Sequence, residues 1–412
     1  MQWTKAAACF TMKNVRSSRS SLLLGLLLGA LGTVGVEQLV SKASASKTEA
    51  PPLERQAFHD TLDVVMDRYV EPVDTPSVMA RGLKHMVAGL DAHSHYLTAG
   101  ERDLAQKRAR QGAESGLITT LRGAGSEAPA ELEVIAVHPG SPAQLLGIAP
   151  GTRILALRGR PAAQLLSNAE AQLMLSGAVG ERISLTLDRG AGLGPTEVEV
   201  ELDRPDANAL VEGQLHEVSG HFVGQISIHA FRSGTGERVK KTLAQLHDRA
   251  GSGGLVGVIL DVRGNPGGEV DEALIVADLF IKEGVLTRTR GRGGVILSEE
   301  LATEAGTEPT LPLLLLQDAR SASASELLAI ALQDNGRAKV MGERSFGKGT
   351  VQELIGLPDG SLLTLTVARY FSPLDRSIDG RGVEPDLPLE GATGNVALNA
   401  ACRELVSLVA LR

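Results

Sequence analysis

From Leu311 to Leu316 every position but a proline is leucine, and the run Gly254–Leu260 is apolar almost throughout. Runs without polar alternation suit strands covered on both faces. The segment 220–231 reads as a third strand. Between these lie GERVKKTLAQLHDRA (236–250) and EVDEALIVADLFIKEG (269–284), whose spacing predicts helices. Residues 205–390 therefore alternate strands with helices, the mark of a layered α/β core. The pattern changes upstream. In ERISLTLD (181–188) and TEVEVELD (196–203) polar and apolar residues alternate singly, as in half-buried strands, with Gly and Pro between them. A compact strand-rich domain over 112–204 is expected, carrying one helix from about Ala163 to Leu175. Residues 53–105 show helical spacing, with Leu53, Ala57, Leu62, Val65, Met66 and Tyr69 on one face and a second helix at about Val78–Leu90. The apolar tail 391–412 reads as one more helix. The chain is thus a mixed multi-domain α/β protein.

The first 45 residues belong to none of these. Lys5, Lys13, Arg16 and Arg19 precede the uncharged run Leu22–Val36, and Ala43-Ser44-Ala45 follows it, the three parts of a secretory signal. A periplasmic or other extracytoplasmic location is expected. The alternative is an uncleaved inner-membrane anchor, although the run falls short of the roughly 20 residues a spanning helix needs. Loss of residues 1–45 takes away five Lys or Arg and one Glu, moving the formal charge from -8 to -12. Such acidity argues against a nucleic-acid partner. The sole tryptophan, Trp3, leaves with the signal, and of two cysteines only Cys402 stays, so no internal disulfide supports the fold.

Candidate chemistry centres on LPLLLLQDARSASASELLAIALQ (311–333), which reads as strand, loop and helix. Its serines lie beyond the end of a buried strand, at a helix N-terminus whose unpaired N–H groups would favour an oxyanion. Ser323-x-x-Glu326 also fits a capping box, in which the serine is only a cap. No histidine follows His247, and no serine sits in G-x-S-x-G. Lysine is the nearer base. Lys348, in SFGKGTVQ, has glycine on both sides, and burial could leave its amine neutral near pH 7. Gln352 follows four residues later in a predicted strand, where it would point the same way. Ser323, Lys348 and Gln352 make a workable nucleophile, base and orienter. A phosphate-loop reading of Gly342-x-x-x-x-Gly347-Lys348 fails, because Gly349 stands where Ser or Thr is needed and a hairpin turning at Pro358-Asp359-Gly360 follows. Glycines of DVRGNPGG (261–268) could complete an oxyanion hole opposite Ala324. His93-x-His95 lacks a third ligand nearby and makes a weak metal pair. No metal and no cofactor is expected.

Taken together, residues 53–390 resemble the carboxyl-terminal processing peptidases, also called tail-specific proteases, which are PDZ-containing serine proteases. The likeness rests on YVEPVD, LDAHSHYL, VHPGSPAQLLGIAPG, ILDVRGNPGGEVDEALIVADLF, SASASE, LQDNGRAKVMGERSFGKGTVQ and ARYFSPLDRSIDGRGVEPD, in that order. The resemblance implies a protease core of the ClpP/crotonase-like type at 205–390, with Ser323 as nucleophile, Lys348 as base and Gln352 as its positioner. It implies an oxyanion hole from Ala324 with Gly267 or Gly268. It also implies a PDZ-like domain at 112–204 that adds the free C-terminal tail of a protein substrate as a strand. Ser115, Gly116, Leu117 and Ile118 best match the loop that holds the tail carboxylate. Thr152 stands where relatives carry aspartate, and ESGLITTLRGAG matches the loop loosely, which touches tail preference. Self-association and an adaptor protein are further implications, and membrane contact would come only through residues 1–45. The competing expectation is a catalytically silent PDZ scaffold on the same fold, which a missing nucleophile or base would have signalled.

Overall fold

A computed structural model describes residues 52–410 apart from 124–128, 191, 193, 304–307, 309, 390, 392 and 393. The expected secretory signal lies outside the described residues. Leu311–Leu316 owes its apolarity to position. Its strand, Leu313–Gln317, is fourth in a six-stranded sheet ordered 211–218, 221–228, 255–261, 313–317, 339–342, 387–388, parallel after the first pair. Leu313 and Leu315 face one core with Val258, Leu260, Val239, Val276 and Leu328. Leu314 and Leu316 face another, closed by Ala397, Leu398, Ala401, Cys402 and Leu405 of the C-terminal helix Gly394–Ala410. Each such leucine stabilises the fold by about 1.5–3 kcal/mol. Cys402, 2% exposed, serves there as a small apolar residue.

A second, antiparallel sheet stands beside this one. The long strand Leu362–Phe371 pairs with Thr350–Gly356, as the predicted hairpin requires, and also with His95–Leu97 and Val285–Gly291. The last of these pairs in turn with Ile296–Leu301. The stretch His95–Leu97, which reads from sequence as the end of a helical segment, is thus a strand.

Residues 112–204 form the expected strand-rich unit: a sheet ordered 117–122, 131–137, 153–157, 182–188, 196–201 around its own core of Leu132, Val134, Leu157, Leu185 and Val200. Leu117–Arg122 is its outer strand. The single helix expected at Ala163–Leu175 is broken. A 3-10 turn at Ala162–Gln164 is followed by the helix Asn168–Met174, because Ser167 accepts the Glu170 N–H at 3.2 Å and restarts the helix.

Ahead of it the helices are Pro52–Arg68, Thr75–Ala88 and Ala99–Gln111. The second starts earlier than its apolar residues suggest, since Asp74 accepts the Ser77 N–H at 3.1 Å and Pro76 suits a first turn. The third extends past the expected boundary, and its Thr98 and Glu101 form a reciprocal capping box. Of the expected apolar face, Val65 on the first helix is 37% exposed and Tyr69, just past its end, 62%.

Candidate active site

Two of the three serines in SASAS are occupied as fasteners. Ser321 Oγ donates to Val262 O at 2.7 Å and accepts the Asp318 N–H at 3.1 Å. Ser325 Oγ donates to Asn265 O at 3.0 Å, and the Ala322 N–H reaches the same oxygen at 3.0 Å. Both hydroxyls tie the start of the helix Ala324–Asp334 to the turn that carries DVRGNPGG. Ser323 lies between them in another conformation, φ +56° and ψ -116°. Residues other than glycine occupy that region only under strain, a device common at functional sites.

The capping-box reading of Ser323 is half right. Its N–H donates to Glu326 Oε2 at 2.7 Å, yet the Glu326 N–H goes to the Ser323 carbonyl oxygen at 2.9 Å and not to the hydroxyl. Glu326 is fully buried and takes four donors. Oε2 accepts from Ser323 N at 2.7 Å and Lys348 N at 2.8 Å; Oε1 accepts from Gly347 N at 2.6 Å and Ser345 Oγ at 2.5 Å. Burial raises its pKa, opposed by those same hydrogen bonds. Ser345 Oγ in turn accepts the Val383 N–H at 2.7 Å. One oxygen atom therefore holds the backbones of Ser323 and Lys348 side by side. The Phe346 N–H to Ser321 O bond, 3.0 Å, closes the two loops together. The sequence signal for Glu326 was visible: it is the sole charge between Arg320 and Asp334.

Lys348 is half-buried and deep among protein atoms. Burial holds its ammonium down at about 8 from an ordinary 10.5, against the pull of the Glu326 charge. His93 lies within its field. Burial first, and the Lys348 charge second, push that imidazole down to about 4. Its turn is pinned by Asp91 Oδ1, which accepts the His93 and Ser94 N–H groups at 2.7 Å each. Ser94 Oγ accepts the Thr366 N–H at 3.0 Å, fixing the turn on the long strand.

Gln352 is held by its amide nitrogen, which donates to Thr350 Oγ1 at 2.8 Å and Thr366 Oγ1 at 3.2 Å. Simple alternation from Lys348 does not place it. The strand begins only at Thr350, and the register shifts between Val351 and Gln352.

The NPGG turn meets the serine directly. A Cβ on Gly267 would lie 2.8 Å from Ser323 Cβ and 2.9 Å from Ala324 N, so only glycine permits that approach. The Ala324 N–H, first in its helix, has no intrahelical acceptor. The Gly267 N–H is engaged, donating to Asn265 Oδ1 at 2.8 Å. At Gly268, φ is +140° and a Cβ would strike Phe231 O at 2.0 Å.

Ser115, Gly116, Leu117 and Ile118 lie at the start of the outer strand Leu117–Arg122. Two of their donors are in use, Ser115 N on Leu175 O at 3.0 Å and Leu117 N on Ser115 Oγ at 3.2 Å. Ile118 and Lys348 line one cavity of about 110 Å³, which also takes in His93, His95 and Phe346. Among the described residues no three His, Cys, Asp or Glu side chains gather as a metal site, and no helix is long and apolar enough to cross a membrane.

Residues 222–389 match the model of Peptidase family S41. The carboxyl-terminal-processing protease of Picosynechococcus sp. is 36% identical over 255 residues, 62% of this chain, and the chain spans only 60% of that relative's length. The carboxy-terminal-processing protease of Bartonella bacilliformis is 31% identical over 339 residues, 81% of this chain and 74% of that protein. Among solved structures, the photosystem II D1 C-terminal processing protease superposes with a TM-score of 0.68 at 26% identity, covering 85% of this chain and 92% of that one. With the family match in the α/β core and the Bartonella relative aligned over most of both chains, this protein belongs to peptidase family S41, among its carboxyl-terminal-processing proteases.

Proposed function

We propose that the protein is an exported serine endopeptidase that takes the C-terminal tail of a protein substrate on its strand-rich domain, read as PDZ-like, and cuts near that end. Ser323 is the nucleophile, Lys348 the base and Gln352 the residue that positions it. The observation that carries this reading is the shared Glu326 oxygen, which keeps a strained serine and a lysine of lowered pKa on adjoining loops.

In this reading Ser323 Oγ attacks the scissile carbonyl carbon as its proton passes to neutral Lys348 Nζ. The tetrahedral oxyanion is met by the Ala324 N–H and by Gly268 or a reoriented Gly267. The carbon–nitrogen bond then breaks, Lys348 returns the proton to the departing amine, and an acyl-enzyme remains. Water, deprotonated by the same lysine, hydrolyses the ester and restores the serine hydroxyl. Export rests on the residues 1–45 pattern, and self-association and an adaptor remain part of the proposal through the family.

The test is labelling by a serine-reactive probe of the wild type, Ser323→Ala and Lys348→Ala. Labelling of the wild type alone, with all three folded, supports the dyad. Equal labelling of all three, or none in an otherwise folded wild type, would favour a silent scaffold.

A further inference from the structure

Every polar atom of Asn265 is engaged, and most of its bonds go to the two loops that meet at Ser323. The residue is 0% exposed. Its Oδ1 accepts the Gly267 N–H at 2.8 Å, and its Nδ2 donates at 2.8 Å to Ile228 O, on the strand 221–228. Its carbonyl oxygen accepts the Ala322 N–H and Ser325 Oγ, each at 3.0 Å, on either side of Ser323 and Ala324. Its own N–H donates to Val262 O at 3.2 Å. An Asx-turn accounts for the Gly267 bond alone. It does not account for the bond to Ile228, 37 residues away, or for the carbonyl that fastens the serine loop. The peptide after Gly267 is set by the same turn. Gly267 O accepts the Phe231 N–H at 3.0 Å, and Phe231 O accepts the Glu269 N–H at 2.8 Å. In a trans peptide the N–H points opposite to the C=O, so the Gly268 N–H is turned away from Phe231. Among the described residues nothing accepts it, and Gly268 is half-buried rather than sealed. Because a Cβ on Gly267 would reach Ser323 and Ala324, this N–H stands beside the nucleophile.

We propose that Asn265 is the positioning residue of the oxyanion hole: its side chain holds the Gly267 N–H aside, so that the Gly268 N–H and the Ala324 N–H are presented to the scissile carbonyl oxygen. Its own carbonyl keeps the serine loop in register with that pair. The inference rests on the peptidase reading and adds to it a residue that touches neither substrate nor reacting atom. Asparagine suits the place because one end of its amide must accept and the other donate. Aspartate keeps the acceptor for Gly267 but offers no donor to Ile228 O and brings a charge toward a developing anion. Glutamine is a methylene too long for a site packed on all sides. Alanine frees the Gly267 N–H and leaves the direction of the following peptide unfixed.

The experiment forms the acyl-enzyme of the full-length protein from an isotope-labelled peptide ester and records its carbonyl stretching band by infrared difference spectroscopy. Wild type, Asn265→Ala and Asn265→Asp are compared, with kcat and KM measured beside the band and folding followed by circular dichroism. Hydrogen bonds to a carbonyl oxygen lower its stretching frequency, so the band reads the hole itself, which a merely structural role would not move. Asn265→Ala is expected to raise the frequency and to lower kcat by about tenfold or more, with KM changed by less than about threefold. Asn265→Asp, which keeps one of the two side-chain bonds, is expected to fall between it and the wild type. A folded Asn265→Ala with the wild-type band overturns the proposal, whatever its kcat, and leaves the peptidase reading standing. If alanine does not fold, the nearly isosteric aspartate decides by the same band. Failure of both to fold makes Asn265 a residue of the fold alone and also overturns the proposal. A wild type that is never acylated overturns the peptidase reading, and the proposal with it.

Discussion

The amine of Lys348 can take a proton only when uncharged, and burial sets its pKa at about 8. Because the neutral form appears as pH rises, kcat/KM should climb roughly tenfold per pH unit below that value and level off above it. A profile flat from pH 6 to 9 on folded enzyme would exclude Lys348 as the base. Glu326 offers a sharper check on the same amine. Its charge raises the Lys348 pKa, so Glu326→Gln should move the rising limb to lower pH. The new amide NH₂ would also face donors where an oxygen now accepts, and kcat should fall by about tenfold or more. Glu326→Ala leaves three backbone N–H groups unpaired and should destabilise the protein by on the order of 1–3 kcal/mol for each group that water fails to reach. Ser323 predicts a trade of the opposite kind. Relief of its positive φ should make Ser323→Gly more stable than Ser323→Ala by about 1 kcal/mol, with neither active, as thermal unfolding and turnover would show.

At the scale of elements, the serine helix and the NPGG turn behave as one unit, joined through Ser321, Ala322 and Ser325. Ser321→Ala removes a hydrogen bond from a residue 1% exposed and should cost about 1–2 kcal/mol while slowing turnover without abolishing it. An unchanged rate and stability would show that the turn holds itself. Much at this scale was legible from local pattern. The leucine run, the 236–250 helix and the hairpin over 350–371 all stand where their periodicity put them. Less legible were the strand His95–Leu97 and the pair 285–291 with 296–301, which are too short or too polar to stand out and exist by pairing with distant partners. The broken helix near Ser167 was missed because a cap inside an apolar stretch carries no periodic signal. The first helix kept its predicted type but not its predicted burial, since an apolar stripe does not say what will cover it.

Across the whole molecule, the strand-rich domain is joined to the α/β core by charge. Glu114 accepts from Arg232 at 2.6 Å and from His138 at 3.1 Å. Burial alone would raise its carboxyl; His138 and Arg232 outweigh that and hold it at about 2. A depressed carboxyl contributes stability that is present above the ordinary carboxylate range and lost as pH falls from about 4.5 toward 2. Arg232→Ala should therefore cost about 2–3 kcal/mol near neutrality and flatten this part of the acid transition, as denaturant unfolding at several pH values would read. Equal acid sensitivity in both proteins would remove Glu114 as its source.

The chain by itself determined the α/β layering and the separate strand-rich unit, and it put forward Ser323, Lys348 and Gln352 as candidates, because periodicity, glycine placement and the absence of later histidines are local properties. Tertiary structure decided which hydroxyls were consumed, that Glu326 binds both loops, and that His95 and Thr119 share one cavity. Periodicity states which face of an element is buried but not which distant element buries it. Residues 95, 119, 322 and 348 line one cavity only after two sheets and an outer strand have closed around it.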